Sequence, residues 1–244
     1  MNIFSTFATT RRVLSQLIHD HRTMALLLLV PPILITILKY VFDGDERLFN
    51  SIAPVLLGIF PLIMMFLVTS IATLRERSRG TLDRLMTLPV AKVDILLGYM
   101  IAFSVVALVQ VSLTCLVMFS FLDVSIAGDI GTVLLVAVLS ALLGTSAGLF
   151  ASAFAQSEFQ AVQFMPAFIF PQLLTCGLFT VRDKMADFLQ WMSDFLPLTY
   201  CVDATKEAVL HSDWSSTLTN DILVMVAFIV GFVALSVVSI KRLD

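Results

Sequence analysis

Apolar residues run almost without interruption through six stretches of this chain, at about 23–42, 51–74, 95–122, 130–155, 161–181 and 220–240, and polar residues gather between them. About 20 residues at ~1.5 Å rise cross a hydrocarbon core of ~30 Å, so each stretch predicts a transmembrane helix. The pattern predicts an all-α, polytopic membrane protein forming one bundle over residues 1–244. Pro31-Pro32 in the first stretch and Pro54 and Pro61 in the second should kink their helices or break the hydrogen-bond ladder locally. The fourth and fifth stretches, separated only by Gln156 to Gln160, predict a tight helical hairpin.

Two segments outside these runs carry a helical period of their own. Ile3, Phe7, Leu14, Leu17 and Ile18 recur with Arg11, Arg12 and Arg22 between them, which predicts a basic amphipathic helix over residues 1–22 lying in the membrane interface. Thr10-Arg11-Arg12-Val13-Leu14 has the letters of a twin-arginine export signal. His19, Asp20, His21 and Arg22 separate it from the apolar run, and no small-x-small cleavage site follows, so the segment reads as an uncleaved lead-in. Met185, Phe188, Leu189, Met192 and Leu196 recur before Pro197 and predict a second short amphipathic helix.

Composition agrees with a membrane class. With 59% hydrophobic residues, 14% charged residues and a mean hydropathy of +0.97, a water-soluble domain would have to expose large apolar patches. Charge then sets the orientation. Six crossings put both termini on one side, and that side holds ten of the 15 Lys and Arg: Arg11, Arg12, Arg22, Arg75, Arg77, Arg79, Arg84, Lys92, Lys241 and Arg242. The other side holds Lys39, Arg47, Arg182, Lys184 and Lys206, which predicts cytoplasmic termini in an inner (plasma) membrane. The three cysteines imply no disulfide framework. Cys176 and Cys201 could pair at the outer face, although membrane cysteines ordinarily behave as small apolar residues.

Catalytic chemistry finds little support. Gly144-Thr145-Ser146-Ala147-Gly148 has the letters of a nucleophile elbow, but an elbow follows a strand. Its serine also needs a basic partner, and His19, His21 and His211 all lie outside the apolar runs. Ser140, Gly144, Gly148 and Ser152 instead fall at successive i, i+4 positions, a small-residue face that lets another helix approach closely. An intramembrane protease or lipid-modifying transferase would want acids or histidines clustered at one membrane depth. No Cys or His pair sits at metal-ligand spacing, so no metal is expected. The phosphate-cradling G-x-x-x-x-G-K-[ST] pattern is absent, so no nucleotide cofactor is expected on this chain. A nucleic-acid partner is not expected either. Gln110, Gln163 and Gln172 are the main polar residues within the runs, and they read either as interhelical hydrogen bonds or as contacts on a substrate path. The scarcity of buried ionisable residues argues against proton-coupled transport and hydrophilic ion channels, and fits lipid-like or amphipathic cargo.

The stretch 75–94 is the most charged of the chain. It reads Arg75-Glu76-Arg77-Ser78-Arg79-Gly80-Thr81-Leu82-Asp83-Arg84-Leu85-Met86-Thr87-Leu88-Pro89-Val90, with Leu82, Leu85 and Met86 on one helical face and a stop at Pro89. Such a helix between two crossings can lie against a cytoplasmic partner or simply fix topology by its charge. Its letters resemble the E-R-x-x-G-T-L-x-x-L-x-x-x-P signature of ABC-2 type transporter permeases, the membrane subunits of ABC exporters related to daunorubicin-resistance permeases. Leu196-Pro197-Leu198-Thr199-Tyr200-Cys201-Val202-Asp203-Ala204 resembles the P-L-T-Y-x-V-x-A block that precedes the last crossing in that family. The likeness extends along nearly the whole chain. Asp83 stands where glutamate is commoner, and Arg79 adds a positive charge.

The resemblance implies that Arg75, Glu76, Arg77, Arg79, Gly80, Thr81, Leu82, Asp83, Leu85 and Pro89 belong to a coupling helix docking on an ATPase subunit, which would hold ATP and magnesium. It implies that Arg11, Arg12, Leu14 and Arg22 belong to a connecting helix touching the same subunit. It also implies that residues 182–211, with Phe188, Trp191, Pro197, Leu198 and Tyr200, form a re-entrant segment of the outer leaflet. A second permease, identical or paralogous, would complete a dimer that moves a hydrophobic drug, antibiotic or lipid-like molecule out of the cell. The alternatives are export of a polysaccharide or lipid-linked glycan, and a non-transporting membrane scaffold.

Overall fold

In a computed structural model, which describes residues 3–80 and 91–241, the chain is helical, with no strand among the described residues. The helices are α1 (Ile3–His19), α2 (His21–Val41), α3 (Glu46–Ser78), α4 (Lys92–Ser120), α5 (Ile130–Ser152), α6 (Glu158–Thr175), α7 (Asp187–Asp194), α8 (Pro197–Leu210) and α9 (Ser216–Lys241), with a 3-10 turn at Arg182–Lys184. Several begin where local chemistry dictates. Asp20, Asp45, Asp129 and Ser157 are N-caps whose side chains accept from the backbone N–H of Thr23, Leu48, Thr132 and Gln160, satisfying donors that a helix start leaves unpaired. Pro197 opens α8 at its first turn, where a missing N–H costs nothing.

The longest helix, α3, organises the bundle. It packs most extensively against α5, and also touches α2, α4, α6 and α8. The α3–α5 contact is close because α5 presents glycine: a Cβ on Gly144 would come within 2.1 Å of the Leu62 carbonyl oxygen, and one on Gly148 within 2.5 Å of that of Phe66. Ser140, Gly144, Gly148 and Ser152 are all buried. By contrast α2 and α9 bury little of themselves, exposing Leu29, Ile33 and Ile37 on one and Leu223, Val230 and Val238 on the other.

Among the described residues, five helices, α2, α3, α4, α5 and α9, are long and apolar enough to cross a membrane. The fifth stretch of the six-crossing expectation departs from that pattern. Its helix ends at Thr175, short of the expected 181, and the backbone turns away at Gly177 with φ of +82°. Glu158, Gln160, Gln163 and Gln172 dilute its hydropathy, and Pro166 and Pro171 lie within it. Prolines in α2 and α3 do not end those helices, which run on through Pro31-Pro32 and through Pro54 and Pro61.

Candidate functional site

Charges that the sequence pattern gathers on the side of the termini converge on the last turn of α3. That helix does not stop at the apolar boundary near residue 74. It continues through Arg75, Glu76 and Arg77 to Ser78 and is released at Gly80, whose φ of +68° suits a residue without a Cβ. Three consecutive side chains there reach four other helices.

Glu76 turns inward. Its Oε2 accepts from Arg12 Nη2 at 3.0 Å and from the Tyr99 hydroxyl, and Arg12 also reaches that hydroxyl at 3.3 Å. Arg12 comes from α1 and Tyr99 from α4, so one carboxylate joins three helices. The approach of α1 to α4 depends on small groups. A Cβ on Gly98 would meet Thr9 Cβ at 2.6 Å, and Thr10 Oγ1 donates to the Gly98 carbonyl at 3.2 Å. Accordingly α1 buries Thr9, Thr10, Val13 and Leu17 and leaves Ile3, Phe7 and Ile18 of its expected apolar stripe exposed. Leu14 is half-buried, while Arg11 and Arg22 are exposed.

Arg75 and Arg77 take hold of the α5–α6 turn from either side. Arg75 makes a two-point ion pair with Glu158, the first residue of α6, through Nε–Oε1 at 2.7 Å and Nη2–Oε2 at 2.9 Å. Its Nη1 also lies 3.9 Å from Asp20 at the α1–α2 junction. The hydrogen bonds of its cap with Thr23 hold the Asp20 carboxyl below the usual range, so it is ionised beside Arg75. Arg77 donates to the Ala153 carbonyl at 2.8 Å and to that of Ala155, two acceptors that the end of α5 leaves without intrahelical donors. Arg79 is exposed. A cavity of about 580 Å³ beside this turn is lined by His19 and Asp20, by Arg75, Glu76 and Arg79, and by Tyr99. Thr81, Leu82, Asp83, Leu85 and Pro89 lie outside the described residues.

The opposite end of the bundle is tied together as tightly. Arg182 donates to Ser193 Oγ at 3.1 Å, to Asp203 Oδ2 at 3.1 Å and to Asp194. Lys206 Nζ reaches the Gly177 carbonyl at 2.8 Å, and the Gly128 N–H donates to the Val209 carbonyl at 2.9 Å. Burial raises the Asp203 carboxyl above its ordinary range despite Arg182. Pro197 and Leu198 are buried and Tyr200 half-buried, its hydroxyl donating to the Asp194 carbonyl at 2.7 Å, whereas Phe188 and Trp191 stand exposed on α7. Cys176 and Cys201 are both buried and unbridged.

The three glutamines do not share one environment. Gln172 joins helices, its Oε1 accepting from the Leu198 N–H at 3.1 Å at the start of α8. Gln163 is exposed on α6. Gln110 is fully buried in α4, with both side-chain polar atoms unpartnered.

Long apolar helices with their charged side chains gathered towards the two ends define a polytopic integral membrane protein. Residues 5–210 match the family described as ABC-2 type transporter, and the chain belongs to that family of membrane transport subunits. It is 26% identical over 168 residues to ABC transporter G family member 20 of Dictyostelium discoideum, covering 69% of this chain and 23% of that protein. With the probable multidrug ABC transporter permease YbhR of Escherichia coli (strain K12), it shares 26% identity over 159 residues, 65% of this chain and 43% of the relative. With YbhS of the same strain, a protein of the same description, it shares 23% over 205 residues, 84% of this chain and 54% of the relative. The chain thus spans between about a quarter and a half of the length of these relatives.

Proposed function

We propose that this chain is the permease of an ATP-driven exporter, crossing the inner (plasma) membrane six times with residues 1–22, the 75–94 segment and the end of α9 on the cytoplasmic side. The position of α6 supports the sixth crossing. It starts beside Arg75 and ends at Thr175, two residues before Gly177, whose carbonyl Lys206 holds at the opposite end of the bundle. Its 18 residues extend for ~27 Å, close to a hydrocarbon thickness.

The last turn of α3 carries the functional reading. A single turn binds α1, α4, α5 and α6, and it leads directly into residues 81–90. A force applied to residues 75–94 is therefore delivered to the bundle at once. In this reading that segment, with Arg79, Gly80, Thr81, Leu82, Asp83, Leu85 and Pro89, docks on a nucleotide-binding subunit, and α1 touches the same partner through Arg11 and Arg22. Energy enters through the different affinities of the docked segment for that partner's two states. The residues of this chain do not fit a nucleotide, lacking the G-x-x-x-x-G-K-[ST] pattern, so ATP and magnesium are assigned to the partner.

A second permease, identical or paralogous, is supported by the broad apolar faces that α2 and α9 leave uncovered. Phe188 and Trp191 suit an outer-leaflet interface in a re-entrant segment over 182–211. The proposed cargo is a hydrophobic or amphipathic drug, antibiotic or lipid-like molecule, in keeping with the description of YbhR.

Co-purification with a co-expressed ATPase subunit tests this. ATP hydrolysis should be stimulated by the wild-type chain and lose that stimulation in Arg79→Glu or Gly80→Pro, while the helical content stays unchanged. Stable binding without turnover would identify a scaffold and overturn the exporter.

A further inference from the structure

The two arms of the α5–α6 hairpin scarcely touch, although only five residues separate them, and each packs instead on α3. The turn joining them is held from both sides by Arg75 and Arg77, and the far end of α6 is pinned where Gln172 meets the Leu198 N–H. The arms are therefore fixed apart. Between them lies a cleft of about 340 Å³ lined by phenylalanine and alanine alone.

Its construction is specific. Ala147 and Ala151 of α5 and Ala167 of α6 contribute only methyl groups, and the space they leave is walled by Phe66, Phe150, Phe154, Phe164, Phe168 and Phe232. Phe66 stacks on Phe168 at 5.3 Å with planes 9° apart, and Phe232 of α9 sits 5.9 Å from Phe150 and 6.2 Å from Phe168. Rings from α3, α5, α6 and α9 thus form one connected wall, and Phe154 stands at its rim with 55% exposure. Aromatic walls favour a guest that presents ring faces or edges, beyond what area burial alone gives. A charged guest would lie here without any partner among the lining side chains, which disfavours it. The volume falls at the lower end of the range for small-molecule sites, ~300–1,000 Å³.

We propose that the cleft between α5 and α6 is a binding site for an uncharged, ring-bearing apolar molecule or moiety. This deepens the exporter reading and rests on it for the identity of the guest as cargo. The cytoplasmic rim, Phe154, immediately precedes Ala155, whose carbonyl Arg77 holds, so the site is attached directly to the last turn of α3. Movement of that turn would shift α6 relative to α5, with Pro166 and Pro171 within α6 to absorb bending.

The full chain in lipid nanodiscs is labelled with benzophenone, a neutral two-ring photoprobe, and the cross-linked peptides are identified by mass spectrometry. Labelling is expected to concentrate on the α5 and α6 segments flanking residues 147–168. It should fall about tenfold, a loss of ~1.4 kcal/mol in affinity, in Ala151→Leu/Ala167→Leu, which fills the floor. Phe154→Ala, which removes an exposed ring without overpacking, should lower it as well and guards against misfolding of the filled variant. Labelling spread evenly over the lipid-facing α2 and α9, or indifferent to both variants, overturns the site. Competition by palmitate but not by anthracene would identify an acyl chain and overturn the ring preference. Loss of labelling confined to a dimeric fraction would assign the cleft to a second copy, again overturning it. Stimulation of the ATPase subunit, measured on the same samples, reports separately on the exporter reading.

Discussion

Arg12 and Glu76, 64 residues apart in sequence, meet at 3.0 Å between the first helix and the end of the third, with the buried Tyr99 hydroxyl as their common neighbour. Arg12 has two further nitrogens, Nε and Nη1, that are buried without partners, so Glu76 bears most of the compensation for burying this cation. Removal of one partner from a buried pair costs ~3–5 kcal/mol, and less here because the Arg12 side chain keeps 27% of its exposure. Glu76→Gln should therefore destabilise the chain by about 1–3 kcal/mol in detergent. Arg12→Gln in the Glu76→Gln background should add much less than it does alone, because the two act on one interaction. Additive changes in the unfolding midpoint would mean that the pair is not coupled.

Glycines offer an internal comparison. Gly144 faces the Leu62 carbonyl at a distance that no Cβ tolerates, whereas nothing lies within 4 Å of a Cβ placed on Gly231. Gly144→Ala should force α3 and α5 apart and cost about 1–3 kcal/mol. Gly231→Ala should be neutral or stabilising by up to ~1 kcal/mol, since alanine holds a helix better than glycine. Thermal unfolding of the two variants side by side checks this, and equal midpoints would contradict the close packing.

These two predictions differ in how far the sequence could have supplied them. The spacing of Ser140, Gly144, Gly148 and Ser152 was legible, because a period of four in an apolar run has a direct meaning for packing. So were the five strongly apolar helices and the short amphipathic helix before Pro197. The partner of Glu76 was not, since ion pairs across 64 and 83 positions leave no local trace, and the charges at 75–77 read equally well as a docking face. The packing face of α1 was hidden for a related reason. Thr9 and Thr10 look polar, yet they are buried because they are small enough to fit against Gly98. The α6 helix was over-extended because an apolar Leu173 to Val181 tail concealed the positive φ at Gly177. The Phe-lined cleft draws on four helices, and no single window of sequence contains it.

Cysteine chemistry tests the end of the bundle that Arg182 and Lys206 tie together. Burial pushes the Cys201 thiol up to about 12, so it is protonated at neutral pH. Cys176 and Cys201 are both buried, and no disulfide joins them. A maleimide reagent at pH 7 should leave the folded chain unlabelled and modify Cys115, Cys176 and Cys201 only after denaturation. Reductant should leave its electrophoretic mobility unchanged. Rapid labelling of Cys201 in the native chain would contradict the packing of α8 against α3 and α5.

Arg77 separates a structural role from a mechanical one. Its guanidinium donates to the carbonyls of Ala153 and Ala155, and truncation to alanine leaves both acceptors at the end of α5 without this donor. An unmade hydrogen bond at a buried group costs ~1–3 kcal/mol, and Arg77→Ala should fall near the lower end because the site is only half-buried and water can replace part of the loss. Lysine has a point charge rather than a planar fork, so Arg77→Lys should keep one of the two contacts and recover part of the stability. If the α5–α6 turn moves with α3, both variants should also lower the stimulation of the ATPase subunit by more than their unfolding midpoints explain. Glu158→Gln should behave alike while costing under about 1 kcal/mol, as expected for an exposed ion pair. ATPase stimulation that simply tracks folded fraction across all three variants would show that the turn is held for stability alone.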